Sequence, residues 1–278
     1  MIDFYKNLDR DVRNALAARL RNLWTHESTA IEGNSLTLGE TAFVIEEGLT
    51  VSGKPLKDHQ EVAGHARAIE LIYDMVERGM AERASDITKQ DLFLLHKAVQ
   101  TDPVCDVYKP IGDWKKEPNG TYIVDGEKQI FYEYATPDDV PVLMEKWIDF
   151  LNQAFHSTQT PDQAISAYAD LHIGFVWIHP FFDGNGRMAR LLANLPVLKA
   201  GYPPIMIPKR KRREYIRSLS RYSLKASPPN RNSAMIPVND RLIRFRAFCK
   251  ESWTDSLALV EEARKKQAER NQKTAASQ

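Results

Sequence analysis

The chain has 278 residues, 43% of them hydrophobic and 27% charged, with a formal net charge of +1. That length can bury a substantial core, and the near-neutral balance gives no overall pull toward nucleic acid or acidic lipid. The charged N-terminus lacks an apolar signal core, no run of about 18 apolar residues occurs, and the two cysteines, Cys105 and Cys249, match no metal or redox spacing. The expectation is a cytoplasmic protein with reduced thiols, no membrane contact and no nucleic-acid partner.

In chain order, residues 10–27 place Val12, Leu16, Leu20 and Leu23 at helical spacing. A second helix is predicted over 37–47, ending near Gly48, and a longer one over 58–77. Ser85-Asp86-Ile87-Thr88 reads as a helix start before KQDLFLLHKAVQ. Residues 121–124 and 129–132 are β-favouring runs joined around Asp125-Gly126, which predicts a hairpin. A helix capped at 136–139 is predicted to run through Leu151, and Pro161 opens another that ends at Ile178. Helices are predicted over 188–198, 209–222 and 241–266, with a frayed tail beyond. The pattern is all-α with one conspicuous hairpin.

Residues 179–190 read His-Pro-Phe-Phe-Asp-Gly-Asn-Gly-Arg-Met-Ala-Arg, a loop between two apolar helices. Glycines let a backbone turn its N–H groups inward, and the following helix points its positive end at the same spot, which makes an anion cradle. Arg187 and Arg190 lie one helical turn apart and can add charge-assisted contacts to phosphate oxygens. Asp183 is a hard oxygen ligand suited to Mg²⁺ on a polyphosphate. His179 is the natural general base. Residues and spacing alone indicate a phosphate site with a base.

The loop resembles the Fic signature HPFx[D/E]GNGRxxR, with every fixed position filled. The resemblance covers about residues 27–224. It implies a Fic-type helical core with a β-hairpin flap, and transfer of AMP from ATP to a Ser, Thr or Tyr hydroxyl of a target protein, or of the enzyme itself. The phosphate-transferring branch resembling Doc departs from the GNGRxxR end, which this chain keeps whole. His179 then takes the acceptor proton; Gly184, Asn185, Gly186, Arg187 and Arg190 hold phosphates; and Asp183 anchors Mg²⁺. The flap strand at Tyr122, Ile123 and Val124 offers a main-chain edge to the target, and Tyr215 is a candidate for adenine contact. Homodimers occur in the family.

Upstream, Ser28-Thr29-Ala30-Ile31-Glu32-Gly33 resembles the Fic inhibitory motif [S/T]xxxE[G/N] in its N-terminal class. Ser28 and Glu32 share a helix face and Gly33 suits the helix end. The resemblance implies a Glu32–Arg190 ion pair that restrains the enzyme. Two other readings stay open: removal of AMP from modified targets using Glu32, and a non-catalytic ATP-sensing module. The chain is expected to be one compact unit of three stretches: 1–84 with the inhibitory motif, 85–225 with flap and signature loop, and 226–278 as C-terminal helix and tail. His172 is read as a packed core histidine, and the basic run 209–213 as a solvated helix face.

Overall fold

The computed structural model describes residues 2–81, 85–100 and 106–276. Its helices are α1 (Arg10–Ile31), α2 (Leu38–Glu47), α3 (Leu56–Met80), α4 (Lys89–Val99), α5 (Val140–Ser157), α6 (Pro161–Ile178), α7 (Asn185–Leu192), α8 (Leu195–Lys199), α9 (Arg212–Lys225), α10 (Asp240–Ser252) and α11 (Thr254–Ala276). The described residues hold one sheet, an antiparallel hairpin of β1 (Gly120–Asp125) and β2 (Lys128–Glu133). Asp125 pairs with Lys128, so the turn is Gly126-Glu127, and Gly126 takes the positive φ of 62° that such two-residue turns require.

At the centre lies α6. Ile165, Tyr168, Leu171, Phe175, Trp177 and Ile178 are buried on several of its faces, so it is a core helix rather than an amphipathic surface one. It packs on α5, α7, α8, α9 and α10. Its start is fixed by a capping box, in which Thr160 Oγ accepts from the Gln163 N–H (3.3 Å) and Gln163 Oε1 from the Thr160 N–H (3.1 Å). Around it one apolar cluster joins side chains from Ile2 to Ala263. α1 lies across α2, α3 and α11.

Three expectations differ from the structure. The helix predicted over 188–198 is split into α7 and α8. Pro196 has no N–H to donate back along the helix, and Asn194 makes the break a fixed corner. Its Nδ2 donates to the carbonyls of Arg190 (2.9 Å) and Ile205 (3.0 Å), and its Oδ1 accepts from the Ile205 N–H (2.7 Å). The helix predicted over 241–266 breaks at Trp253, whose indole N–H is drawn to the Pro203 carbonyl at 2.9 Å. Within the described residues the tail is helical: α11 runs to Ala276, and its Arg270 pairs with Asp9 (2.9 Å) and Asp11 (2.7 Å) near the start of α1. Cys249 is a buried free thiol, and Cys105 lies outside the described residues. No described helix is long and apolar enough to cross a membrane.

Replacing Asn194 by Leu should leave the Ile205 peptide groups unpaired in the core, at about 1–3 kcal/mol per group. A thermal melt should then fall by several degrees, since about 1 kcal/mol moves a chain of this size by roughly 2–4 °C. An unchanged midpoint would show that the α7–α8 corner does not depend on Asn194.

Candidate active site

The last turn of α6 delivers His179, which caps the helix in the left-handed conformation (φ 57°, ψ 60°). For a non-glycine residue this costs on the order of 1–2 kcal/mol, so the surroundings must hold it. They do so at three points. Its N–H donates to the Phe175 carbonyl at 2.9 Å, its Nδ1 lies 3.2 Å from the Val176 carbonyl, and its ring stacks on Tyr134 with centroids 3.8 Å apart. A carbonyl can only accept, so Nδ1 carries the proton and Nε2 is left with its lone pair. Burial, and then the positive charge of Lys115, push the His179 pKa down to about 3. The imidazole is therefore neutral at ordinary pH and able to accept a proton.

The loop after it is closed by its own side chains. Asn185 Oδ1 accepts from the Phe181 N–H (3.0 Å) and its Nδ2 donates to the Phe181 carbonyl (2.8 Å). The Asn185 side chain thus shapes the loop from within. Gly184, at φ 78°, turns the chain into α7. The ideal Cβ position on Gly186 lies 2.6 Å from Glu32 Oε1, so the Glu32 carboxylate rests against the first turn of α7. A carboxylate thus lies at the N-terminal end of α7, where the helix favours negative charge.

Arg190 is buried, yet all of its N–H-bearing nitrogens find acceptors. Nε donates to Ser28 Oγ (3.0 Å), one terminal nitrogen to the Ser28 carbonyl (2.8 Å) and Glu32 Oε1 (2.6 Å), and the other to the Tyr215 hydroxyl (3.3 Å). Burial works against its charge, but Glu32 and Tyr215 outweigh this and raise its pKa. Arg187 is held differently. It donates to the Val99 carbonyl (3.1 Å) and Gln100 Oε1 (2.7 Å), with Glu61 at 4.0 Å and Asp183 at 3.9 Å. The Asp183 carboxylate is 70% exposed and accepts from Gln100 Nε2 at 3.0 Å. Beside it lies a cavity of about 290 Å³ bordered by His96, Gln100, Lys109 and Phe182.

Tyr215 departs from the expectation of adenine contact. It is 1% exposed, its hydroxyl lies 2.8 Å from His172 Nε2 and 3.3 Å from Arg190, and its ring packs by Phe245 and Phe248. The apolar side of α9 faces the core, so Tyr215 supports Arg190 and has no face for a base. His172 is a buried core residue, as read. In the flap, Tyr122 and Val124 are exposed but Ile123 is 3% exposed, because strand side chains alternate. Ile123 therefore anchors the hairpin. Tyr132 does the same, accepting from the Trp177 indole N–H at 2.9 Å.

Four residues that shape this site carried no motif: Gln100, Lys115, Asn119 and Tyr134. Each reaches the loop from more than 40 positions away, and no local periodicity encodes such a contact.

Residues 86–197 match the Fic/DOC family. A protein adenylyltransferase Fic from Drosophila willistoni is 33% identical over 192 residues, covering 68% of this chain and 34% of that protein. One from Drosophila melanogaster is 33% identical over 194 residues. The chain thus spans about a third of the length of these relatives. Among solved structures, a Fic domain containing signaling protein from Bacteroides thetaiotaomicron superposes with a TM-score of 0.78 at 26% identity, covering 94% of this chain and 92% of that one. Fic-1 from C. elegans gives 0.71 at 25% identity, over 94% and 69% of the two chains. With its signature loop, flap and helical core in this arrangement, the chain belongs to the Fic/DOC family.

Proposed function

We propose that this chain is a protein adenylyltransferase restrained by its own α1 helix. The observation that carries the reading is the Glu32 carboxylate lodged on Arg190 against the first turn of α7, with a neutral imidazole at the start of the same loop. The likeness to proteins named adenylyltransferases over 68% of the chain supports it.

In the reaction the hydroxyl oxygen of a Ser, Thr or Tyr attacks the α-phosphorus of ATP. The bond from that phosphorus to the β-phosphate oxygen breaks and pyrophosphate leaves. His179 Nε2 takes the hydroxyl proton. Its tautomer is set by the Val176 carbonyl and its plane by Tyr134. The N–H groups at Gly186 and its neighbours hold phosphate oxygens, and Arg187 neutralises charge with its direction fixed by Gln100. Arg190 holds the outermost phosphate only when Glu32 has left it.

Mg²⁺ suits Asp183 better than any protein-built cage does. Among the described residues no three His, Cys, Asp or Glu side chains converge as metal ligands, whereas Mg²⁺ on a nucleotide takes one or two carboxylates plus phosphates and water. There it would relieve charge on the polyphosphate. The exposed strand face at Tyr122 and Val124 offers the target an edge, and auto-modification is the same chemistry with the chain as its own acceptor.

Incubating purified protein with labelled ATP should place more AMP on protein in the Glu32→Gly variant than in the parent, each tenfold gain equalling about 1.4 kcal/mol of lost restraint. Equal or lower labelling would remove the restraint from the proposal. His179→Ala in that background should cut transfer about 10²–10⁴-fold while calorimetry still detects ATP binding; normal transfer would exclude His179 as the base. The lowered His179 pKa also has a direction. The base form persists as pH falls, so kcat/KM of Glu32→Gly should show no acid-side loss centred near 6.5. An inflection there would mean that the free enzyme carries an ordinary imidazole.

A further inference from the structure

Lys115 is a buried cation whose charge helps to lower the His179 pKa, and the reaction above gives it no other role. It is 1% exposed, and among the described residues no carboxylate pairs with it. Its ammonium donates to Asn119 Oδ1 at 2.6 Å and lies 5.9 Å from the centre of the Tyr134 ring, the ring that stacks on His179. Burial alone lowers its pKa to about 7. An unpaired ammonium in such a place weakens the fold, and a methionine of similar shape would fill the space without that penalty.

What surrounds Lys115 gives it a task. Its own N–H donates to the Pro180 carbonyl at 3.0 Å. Asn119, oriented by the ammonium, donates through Nδ2 to the carbonyls of Phe181 (3.2 Å) and Phe182 (3.4 Å). Three successive carbonyls of the signature loop are thus drawn toward residues 115–119. In a planar trans peptide the carbonyl of one residue points opposite to the N–H of the next. The pull therefore turns the N–H groups of Phe181, Phe182 and Asp183 the other way. That of Phe181 meets Asn185 Oδ1 at 3.0 Å, and those of Phe182 and Asp183 have no acceptor among the described residues.

We propose that Lys115 is a positioning residue for AMP transfer: through Asn119 and its own amide it sets the peptide planes after His179, so that the loop N–H groups face the phosphates. This rests on the adenylyltransferase reading for its consequence in catalysis, but not for its consequence in the loop.

The test uses Lys115→Met, Asn119→Ala and Lys115→Arg in the full chain carrying Glu32→Gly. Lys115→Met should melt no lower than its parent, yet lose turnover at saturating ATP by about 10²-fold, the scale of a misplaced reacting group, with KM for ATP nearly unchanged. Asn119→Ala should reproduce the kinetic loss, and Lys115→Arg, which keeps donors for Asn119, should recover most of it. Hydrogen exchange needs no nucleotide: the amide of Phe181, bonded to Asn185, should exchange faster in Lys115→Met and Asn119→Ala, while those of α5 and α10 keep their rates. Unchanged turnover, a rise in KM alone, or unchanged loop exchange would each overturn the proposal, the second by making Lys115 a direct ATP contact. A melt that falls in step with activity would reduce Lys115 to a structural residue. Absence of any transfer in the Glu32→Gly parent would refute the adenylyltransferase reading, and the exchange result would still decide the role of Lys115 in the loop.

Discussion

A guanidinium carries five N–H donors and one charge, and taking it out of water is tolerable only where acceptors wait in the right plane. Arg190 is 2% exposed, and three helices meet to satisfy it: α1 through Ser28 and Glu32, α9 through Tyr215, and α7 by holding its backbone. Much of the nearby structure follows from that need. Ser28 and Glu32 must lie one turn apart on α1, so the rotation of that helix is fixed. Tyr215 must turn inward, so α9 packs by its aromatic side. A lysine could not replace Arg190, because one ammonium cannot meet a hydroxyl, a carbonyl and a carboxylate spread across the plane of a fork. Only one of these acceptors is a charge, and it is the one that is partly open to water.

The loop between α6 and α7 is polar chain set in apolar surroundings, and it is ordered by side chains that treat its backbone as their partner. Asn185 closes it from within, Asn119 holds it from the flap side, and His96 Nε2 lies 3.1 Å from the Asp183 carbonyl. The His96 ring also stacks on Phe181 at 3.8 Å, so the same contact that meets a carbonyl fills the core. Left-handed residues at both ends, His179 and Gly184, give the loop its reversal. The loop thus has little freedom, which is the condition for electrostatic preorganisation.

Much of this was legible in the sequence where the signal was local. The hairpin announced itself by two β-favouring runs about Asp125-Gly126, α1 by its leucine spacing, and the signature loop by its glycines and arginines. The Glu32–Arg190 contact was legible only because two motifs resembled parts of one known site. What local pattern could not carry was tertiary. Pro196 and Trp253 break helices whose apolar periodicity continues across them, because the groups that fix each break, the Ile205 peptide for Asn194 and the Pro203 carbonyl for Trp253, come from other parts of the chain. Tyr215 looked like a nucleotide contact from its neighbourhood in sequence, but the burial of one face of α9 decides otherwise. Lys115 belongs to no motif, and only packing reveals that it lies inside.

The two ends of α1 are held by forces of different kinds. At its C-terminal end the grip is the buried fork of Arg190, which meets the partly exposed Glu32 carboxylate. Toward its N-terminal end Val12 and Leu16 are buried, and the surface adds ionic ties to α11: Arg270 on Asp9 and Asp11, and Arg19 on Glu262. Such exposed pairs contribute about 0–1 kcal/mol each and fade once the screening length falls below roughly 8 Å, near physiological ionic strength. The helix that carries Glu32 is therefore held by apolar burial along its length, and rising ionic strength loosens only its surface ties to α11.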